Sequence, residues 1–386
     1  MRVCGIVAEY DPFHHGHLYH LKQCKQAAQA DYVICVISCA FTQRGMPGLF
    51  STQDRARMAL EAGADLVLGM PQSYGCAQAN RFALGGVGIL DALRVVTHLG
   101  FGVEKASLPF LQTVAAKLDD PDESYYLRQR EALKAGKSFA RAQGEALAQS
   151  DGRLDPAILS APNFVLGLCY MRTLKRLNSP IQAIPIIRKG SYHDTRLTPL
   201  PSASAVRAAL VLGDWQGAAR ALPDCVYPLV AGAVLAQNLH LPGALDKALL
   251  AKLLSGGDYS QIAEISEGLD QSILRAAGNA NSREALIRLL KSKRYPYTRI
   301  NRALTNILLD VNIQPDERPG YARLLGFRST ALPLLRVIKP SGFPLVDRPA
   351  KASDPAIALD MRAEMLWHIG AGQSASLAWQ QSMIIV

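Results

Sequence analysis

Four short apolar runs alternate with three segments of helical period over the first hundred residues, and this order limits the fold more than any other feature of the chain. The runs are "RVCGIVA" (Arg2 to Ala8), "YVICVIS" (Tyr32 to Ser38), "DLVLGM" (Asp65 to Met70) and "RVVTHLGFG" (Arg94 to Gly102). Between them, "HLYHLKQCKQAAQ", "TQDRARMALEAG" and "AQANRFALGGVGILDAL" place apolar residues on one helix face and polar ones on the other. Strands apolar at consecutive positions are buried on both faces, so the β-α-β-α order predicts a parallel sheet with right-handed crossovers and flanking helices. The expected class is α/β, Rossmann-like. Ligands of such sheets bind beyond the carboxyl ends of the strands.

The pattern from Leu108 to Leu177 is helical, "SPIQAIPII" (Ser179 to Ile187) returns as a strand, and "PSASAVRAALVLG" follows with a serine as helix N-cap candidate. After about Trp215 strand signals largely disappear, and turn dipeptides punctuate helical patterns. At 386 residues and 49% hydrophobic the chain holds more than one domain. The expected division is 1–222, α/β, and 223–386, mostly helical and basic.

Composition excludes several classes. Apolar stretches are broken by charge, Gly or Pro before the roughly 18 residues a bilayer span needs, and Met1 to Ala8 is too short for a signal peptide, so a cytoplasmic location is expected. Seven cysteines form no CxxC pair and sit mostly in apolar runs, which fits small buried hydrophobes rather than disulfides or structural zinc. A formal charge of +10 favours polyanionic partners.

The first strand runs into "VAEYDPFHHGHLYHL". His14 and His17 bracket Gly16 between a strand and a helix. Two imidazoles at a helix N-terminus, where free N–H groups and the dipole already favour anions, can both donate to a triphosphate, and Gly16 permits close backbone approach. This is the HxGH pattern of nucleotidyltransferases; a zinc site lacks a neighbouring cysteine or carboxylate set, and no metal-ligand residues are assigned. Arg188 and Lys189 follow the late strand, within reach of phosphate or adenylate. "SASAVR" (Ser202 to Arg207) looks like a serine-capped phosphate loop. Further along, "SREALIRLLKSKRYPYTRINR" (Ser282 to Arg302) has seven basic residues against one acidic. Lys291, Lys293, Arg294, Arg299 and Arg302 would neutralise phosphates while Tyr295 and Tyr297 stack on unpaired bases, a composition suited to RNA rather than DNA. An amphipathic helix with a solvated basic face is the competing reading.

The ordered set "VCGIVAEYDPFHHGHLYHL", "CAFTQRGMPGLFSTQDRARMALEAGADLVLGMP", "FGVE", "SAPNFVLGLCYMRTL", "IPIIRKGSYHD", "PSASAVR", "SKRYPYTRINRALTNILLDV" and "YARLLGF" resembles the tRNA(Met) cytidine acetate ligase family. The resemblance implies a ligase that makes acetyl-adenylate from ATP, with Mg2+, and acetate, then acetylates N4 of the wobble cytidine, position 34, in the anticodon loop of elongator tRNA(Met). It also implies catalytic roles for His14, His17 and Arg188. ATP contacts are implied for Val7, Ala8, Glu9, Tyr10, Asp11, Pro12, Phe13, His14, His15, Gly16, His17, Leu18, Tyr19, His20, Gly102, Asn163, Arg188 and Lys189. The chain departs from the family pattern at Asp11 and His15, where Asn is usual, at Val103, where Ser is usual, and in "SCAF" for "SGNF". Asp11, Lys22 and His20 stand as candidates for the base that accepts the cytidine amine proton. A small-molecule adenylyltransferase and a non-catalytic, ATP-dependent RNA-binding protein are the alternatives.

Overall fold

The computed structural model describes residues 1–105, 107–137, 139–150, 154–188, 202–352 and 354–386. The first hundred residues build β1 (Val3–Ala8), α1 (His15–Ala27), β2 (Tyr32–Ser38), α2 (Thr52–Glu61), β3 (Leu66–Met70), α3 (Gln72–Gly75), α4 (Ala79–Ala92) and β4 (His98–Val103). A helical stretch follows, α5 (Leu108–Asp119), α6 (Glu123–Lys134), α7 (Phe139–Ser150), α8 (Pro156–Leu159) and α9 (Pro162–Arg176), before β5 (Gln182–Ile187). These five strands pair in parallel in the order β5-β4-β1-β2-β3. The chain leaves β1 towards β2 and β3 on one side and places β4 and β5 on the other. That reversal opens a crevice between the carboxyl ends of β1 and β4.

Strand residues alternate between two cores, as a sheet covered on both faces requires. Val3, Ile34, Val36, Leu66 and Leu68 pack with α4, α5 and α9. Cys4, Ile6, Val33, Cys35 and Val67 pack with α1, α2 and the next three helices, α10 (Ala203–Val211), α11 (Trp215–Ala221) and α12 (Tyr227–Leu235). Among the described cysteines six are buried and Cys225 is exposed, all as free thiols.

A third core belongs to α13 (Asp246–Leu254), α14 (Leu269–Ala277), α15 (Arg283–Leu290) and α16 (Tyr297–Leu309). The boundary expected near Pro223 does not coincide with a change of core, because Val226, Val230 and Ala233 of the α12 region pack on the sheet. Nor does the sequence beyond 223 stay helical. β6 (Ala322–Phe327) adds antiparallel to β3, with α17 (Leu332–Ile338), β7 (Leu345–Val346), α18 (Pro355–Gly370), α19 (Leu377–Gln380) and β8 (Ile384–Ile385) around it. The run "ARLLGF" carries a buried arginine, Arg323, whose Nη1 bonds Glu364 at 2.7 Å, so a charge near its start disguised a strand of the sheet. No helix among the described residues is long and apolar enough to cross a membrane.

The segment 39–50 ties the helical part to the sheet. Phe41 and Ala40 lie in the third core. Gly45 takes a left-handed backbone (φ 81°) and its carbonyl accepts from Arg283 Nη1 at 3.1 Å and Thr305 Oγ1 at 2.6 Å. A Cβ on Gly45 would lie 2.5 Å from the α16 backbone, so only glycine permits this contact. Farther on, Trp367 Nε1 donates to the Gly48 carbonyl at 2.6 Å. The fully buried Arg55 guanidinium gathers the carbonyls of Glu9, Ser38, Cys39 and Phe50, which fixes the carboxyl ends of β1 and β2 to this segment.

Candidate active site

The crevice between β1 and β4 is a cleft continuous with solvent. Two helices aim their N-termini at it, α1 through His14, Gly16 and His17, and α10 through Ser202, Ala203 and Ser204. Each N-terminus presents unsatisfied N–H groups and the positive end of a dipole, so the pair forms an anion cradle.

The α1 turn fixes the histidines in a reciprocal cap. His14 Nδ1 accepts from Gly16 N at 3.0 Å, and His17 Nδ1 accepts from His14 N at 3.4 Å. Their rings stack with centroids 3.8 Å apart, and Tyr10 and Phe13 pack against His17 at 5.0 and 5.6 Å. Tyr10 itself holds a left-handed backbone (φ 53°) with its side chain buried, which turns the chain from β1 into this cap. Because each Nδ1 is an acceptor, a neutral ring must carry its proton on Nε2. Burial, reinforced by Arg188 and Arg207, holds His14 down at about 3 and His17 well below the usual histidine range. Burial likewise holds His20 at about 4, with its Nε2 3.4 Å from Cys24 Sγ. The turn therefore offers neutral N–H donors rather than imidazolium charges; Arg44, Arg188 and Arg207 supply positive charge along the cleft.

Of the ATP-contact candidates, Val7, Ala8, Glu9, Tyr10, His14, Gly16, His17, Tyr19, His20, Gly102, Asn163 and Arg188 line the cleft. Asp11, Pro12, Phe13, His15 and Leu18 do not. Asp11 is turned away and buried. Its two carboxylate oxygens accept from Leu49 N (3.0 Å) and Phe50 N (3.1 Å), and its carbonyl accepts from Arg207 Nη1 at 2.6 Å. Both oxygens serve backbone here, which a single amide oxygen of Asn cannot match. That removes Asp11 as a base, and Lys22 lies outside the cleft, exposed on α1. Val103 points into the core, fully buried, where a hydroxyl would be misplaced.

Gly102 differs from its expected use. A Cβ there would stand 3.1 Å from Arg188 Cγ, so the missing side chain makes room for the arginine stem crossing it. Asn163 donates from N (2.9 Å) and Nδ2 (2.7 Å) to Glu104, whose other oxygen accepts from Phe164 N at 2.9 Å. Glu104 thus caps α9. Lys189, like the other residues of 189–201, lies outside the described residues. Gln43, Arg44, Phe82, Phe101, Tyr170, Ser202, Ser204 and Arg207 also line the cleft. Only the serine-capped segment signalled any of these in the sequence; Gln43 and Arg44 come from a loop whose path α16 decides.

The basic segment divides. Tyr295 is buried, its hydroxyl donating to the Glu267 carbonyl at 2.6 Å, so its ring packs in the core and does not face bases. Arg302 pairs with Glu264 at 3.0 Å, both largely buried, and Arg299 with Glu267 at 2.9 Å. Those charges hold the fold. Lys291, Lys293, Arg294 and Tyr297 face solvent, together with Arg288. Arg294 is 3.7 Å from Glu267, whereas Arg288, Lys291 and Lys293 have no ion pair among the described residues.

A model of the HIGH Nucleotidyl Transferase family matches residues 1–381. The tRNA(Met) cytidine acetate ligase of Clostridium perfringens strain SM101 is 34% identical over 384 residues, covering 95% of each chain. That of Syntrophomonas wolfei is 36% identical over 352 residues, covering 88% of this chain and 85% of its own. Thermotoga maritima TmcAL bound with alpha-thio ATP superposes with a TM-score of 0.88 at 27% identity, and its apo form with 0.91 at 28%, each over the whole of both chains.

Proposed function

Because this chain belongs to the tRNA(Met) cytidine acetate ligase family of HIGH nucleotidyl transferases, we propose that its cleft joins acetate to AMP and then passes the acetyl group to N4 of the wobble cytidine, position 34, of elongator tRNA(Met). The enzyme is an ATP-dependent ligase acting on tRNA(Met) cytidine, like its curated relatives and the ATP-analogue-binding neighbour. The observation that carries the reading is the pair of Nε2–H donors of His14 and His17, locked by their own helix cap between two helix N-termini.

In the first step a carboxylate oxygen of acetate attacks the α-phosphorus of ATP, the bond to the bridging oxygen breaks, and pyrophosphate leaves. Charge grows on the non-bridging oxygens, where donors held in place need no reorganisation and are worth about 10²- to 10³-fold each. His14 and His17 fit that task, with Arg188 beside them; Arg207 and the α10 N-terminus fit the departing phosphates. Mg2+ would travel with the ATP phosphates, since no group of three or more His, Cys, Asp or Glu among the described residues could cage it. In the second step the cytidine amine attacks the acetyl carbonyl carbon and AMP leaves. Arg288, Lys291, Lys293, Arg294 and Tyr297 offer the exposed basic surface for the anticodon arm.

Acetate-dependent exchange of labelled pyrophosphate into ATP, measured without tRNA, tests the order of steps. Exchange by the wild-type enzyme and its loss in His17→Ala are expected. tRNA acetylation with no exchange, undiminished in His17→Ala, would overturn the acyl-adenylate reading. Label from ATP retained on a small acceptor would favour a small-molecule adenylyltransferase.

A further inference from the structure

The two reactions ask for opposite things, donors for a phosphate and an acceptor for an amine proton, and different residues of the cleft lining suit each. At the α1 cap the ring nitrogens that could accept are already engaged by backbone N–H groups. His14 and His17 therefore cannot take a proton at the nitrogen that faces substrate. Asp11 has both oxygens on backbone and Lys22 lies outside. His20 is engaged with Cys24. Glu9 is the one acidic side chain among the described residues that line the cleft.

Glu9 is also a held group. Its Oε1 accepts from Gln43 N at 2.9 Å, and its carbonyl accepts from Arg55 Nη1 at 2.9 Å. Gln43 stands two residues before Gly45, the glycine clamped by Arg283 and Thr305 of the helical part. The Glu9 charge is felt by Arg44 from the same loop, by Tyr170 from α9 and by Cys76 beyond α3. Arg188 acts on the three histidines, and Arg207 acts on His14, His17 and Arg44. A carboxylate repels a triphosphate by about 4 kcal/mol for unit charges 4 Å apart at an effective dielectric of 20, so contact with ATP is the role Glu9 fits least.

Resting on the acyl-adenylate reading above, we propose that Glu9 is the general base of acetyl transfer, taking the proton that the cytidine amine loses as it attacks. The N–C bond to the acetyl carbon forms, the bond from that carbon to the AMP oxygen breaks with its electron pair leaving on AMP, and the amine proton passes to the Glu9 carboxylate and then to water. Cytosine N4 is a weak nucleophile, so removing its proton as the bond forms is where a positioned base contributes most, about 10²- to 10⁴-fold.

Glu9→Gln keeps the oxygen that Gln43 N donates to and removes the basicity. With the full chain, ATP, labelled acetate and an elongator tRNA(Met) transcript, Glu9→Gln is expected to lower acetyl transfer at least about tenfold more than it lowers acetate-dependent pyrophosphate exchange. Single-turnover transfer from acetyl-adenylate to tRNA should slow by about 10²-fold or more and lose the acid limb of its pH profile. Glu9→Asp, which keeps the charge on a shorter arm, should transfer slowly but keep that limb, and it serves as the reporter if Glu9→Gln does not fold. Unchanged transfer and an unchanged pH profile would overturn the proposal, as would exchange falling in step with transfer, which would make Glu9 part of activation. Absence of exchange in the wild-type enzyme would instead overturn the acyl-adenylate reading itself.

Discussion

The turn from β1 into α1 and the segment from α15 into α16 are both dense in side chains that bind anions, yet the protein uses them in opposite ways. In the turn, His14 and His17 spend one nitrogen each on their own helix cap, and burial keeps them neutral. What is left for substrate is one aimed donor per ring. In the α15–α16 segment the inward cations, Arg283, Arg299 and Arg302, are spent on Gly45, Glu267 and Glu264, while Arg288, Lys291 and Lys293 stay exposed. On the proposed function, a chemical step at one phosphorus would need fixed dipoles and a polyanion would need mobile charge, and the two segments fit that difference.

Removing a fixed dipole should therefore cost far more than removing a mobile charge. His17→Ala deletes one donor and the acceptor that caps His14 N. Pyrophosphate exchange is expected to fall by about 10²- to 10³-fold with tRNA affinity unchanged. A loss below tenfold would mean the cap, not the Nε2–H, is what this histidine supplies.

The neutrality of the turn should also be readable in folding. Burial holds His14 at about 3 and His240 at about 4 in the folded chain, against about 6.5 unfolded. Between those values the unfolded chain binds more protons, so stability is present above pH 6.5 and is lost as pH falls towards 4. Each proton contributes about 1.4 kcal/mol per pH unit. Asp360, raised by burial to about 6, has the opposite sign below that pH and offsets one of them. Urea titrations at pH 6 and pH 5 should show a net loss of stability, to which the lowered His17 and His20 also contribute, and the loss should be smaller by about 1.4 kcal/mol in His14→Asn, which keeps a cap acceptor. The same slope in wild type and His14→Asn would show that His14 titrates normally.

At the mobile end the effect is smaller and of another kind. Lys291→Glu with Lys293→Glu is expected to weaken tRNA binding by about tenfold at moderate salt and to lower the slope of log affinity against log salt by about one for each phosphate no longer neutralised. ATP affinity should not change. An unchanged salt slope would remove this surface from the tRNA path.

The ATP end was legible early because its signals are local. A strand, a cap and a helix lie within about twenty residues, and HxGH fixes which ring faces which N–H through helix geometry alone. The basic segment was legible only as composition, since which of its residues face inward depends on Glu264 and Glu267, thirty to forty residues upstream. Asp11 misled for the same reason: its partners, Leu49 and Phe50, arrive through a loop.

By itself the sequence determined the parallel sheet and its strands as far as β5, the histidine turn at its carboxyl edge and the family, because periodicity and caps are short-range consequences of backbone geometry. Only the tertiary structure decided that Ala322–Phe327 joins the sheet beside β3, that Gly102 yields its space to Arg188, and that Gln43, Arg44 and Glu9 all line the cleft. Those meetings depend on a buried arginine, Arg55, which reaches back 46 positions to Glu9, and on a clamped glycine, Gly45, which meets Thr305 260 positions away, and no local pattern encodes such contacts.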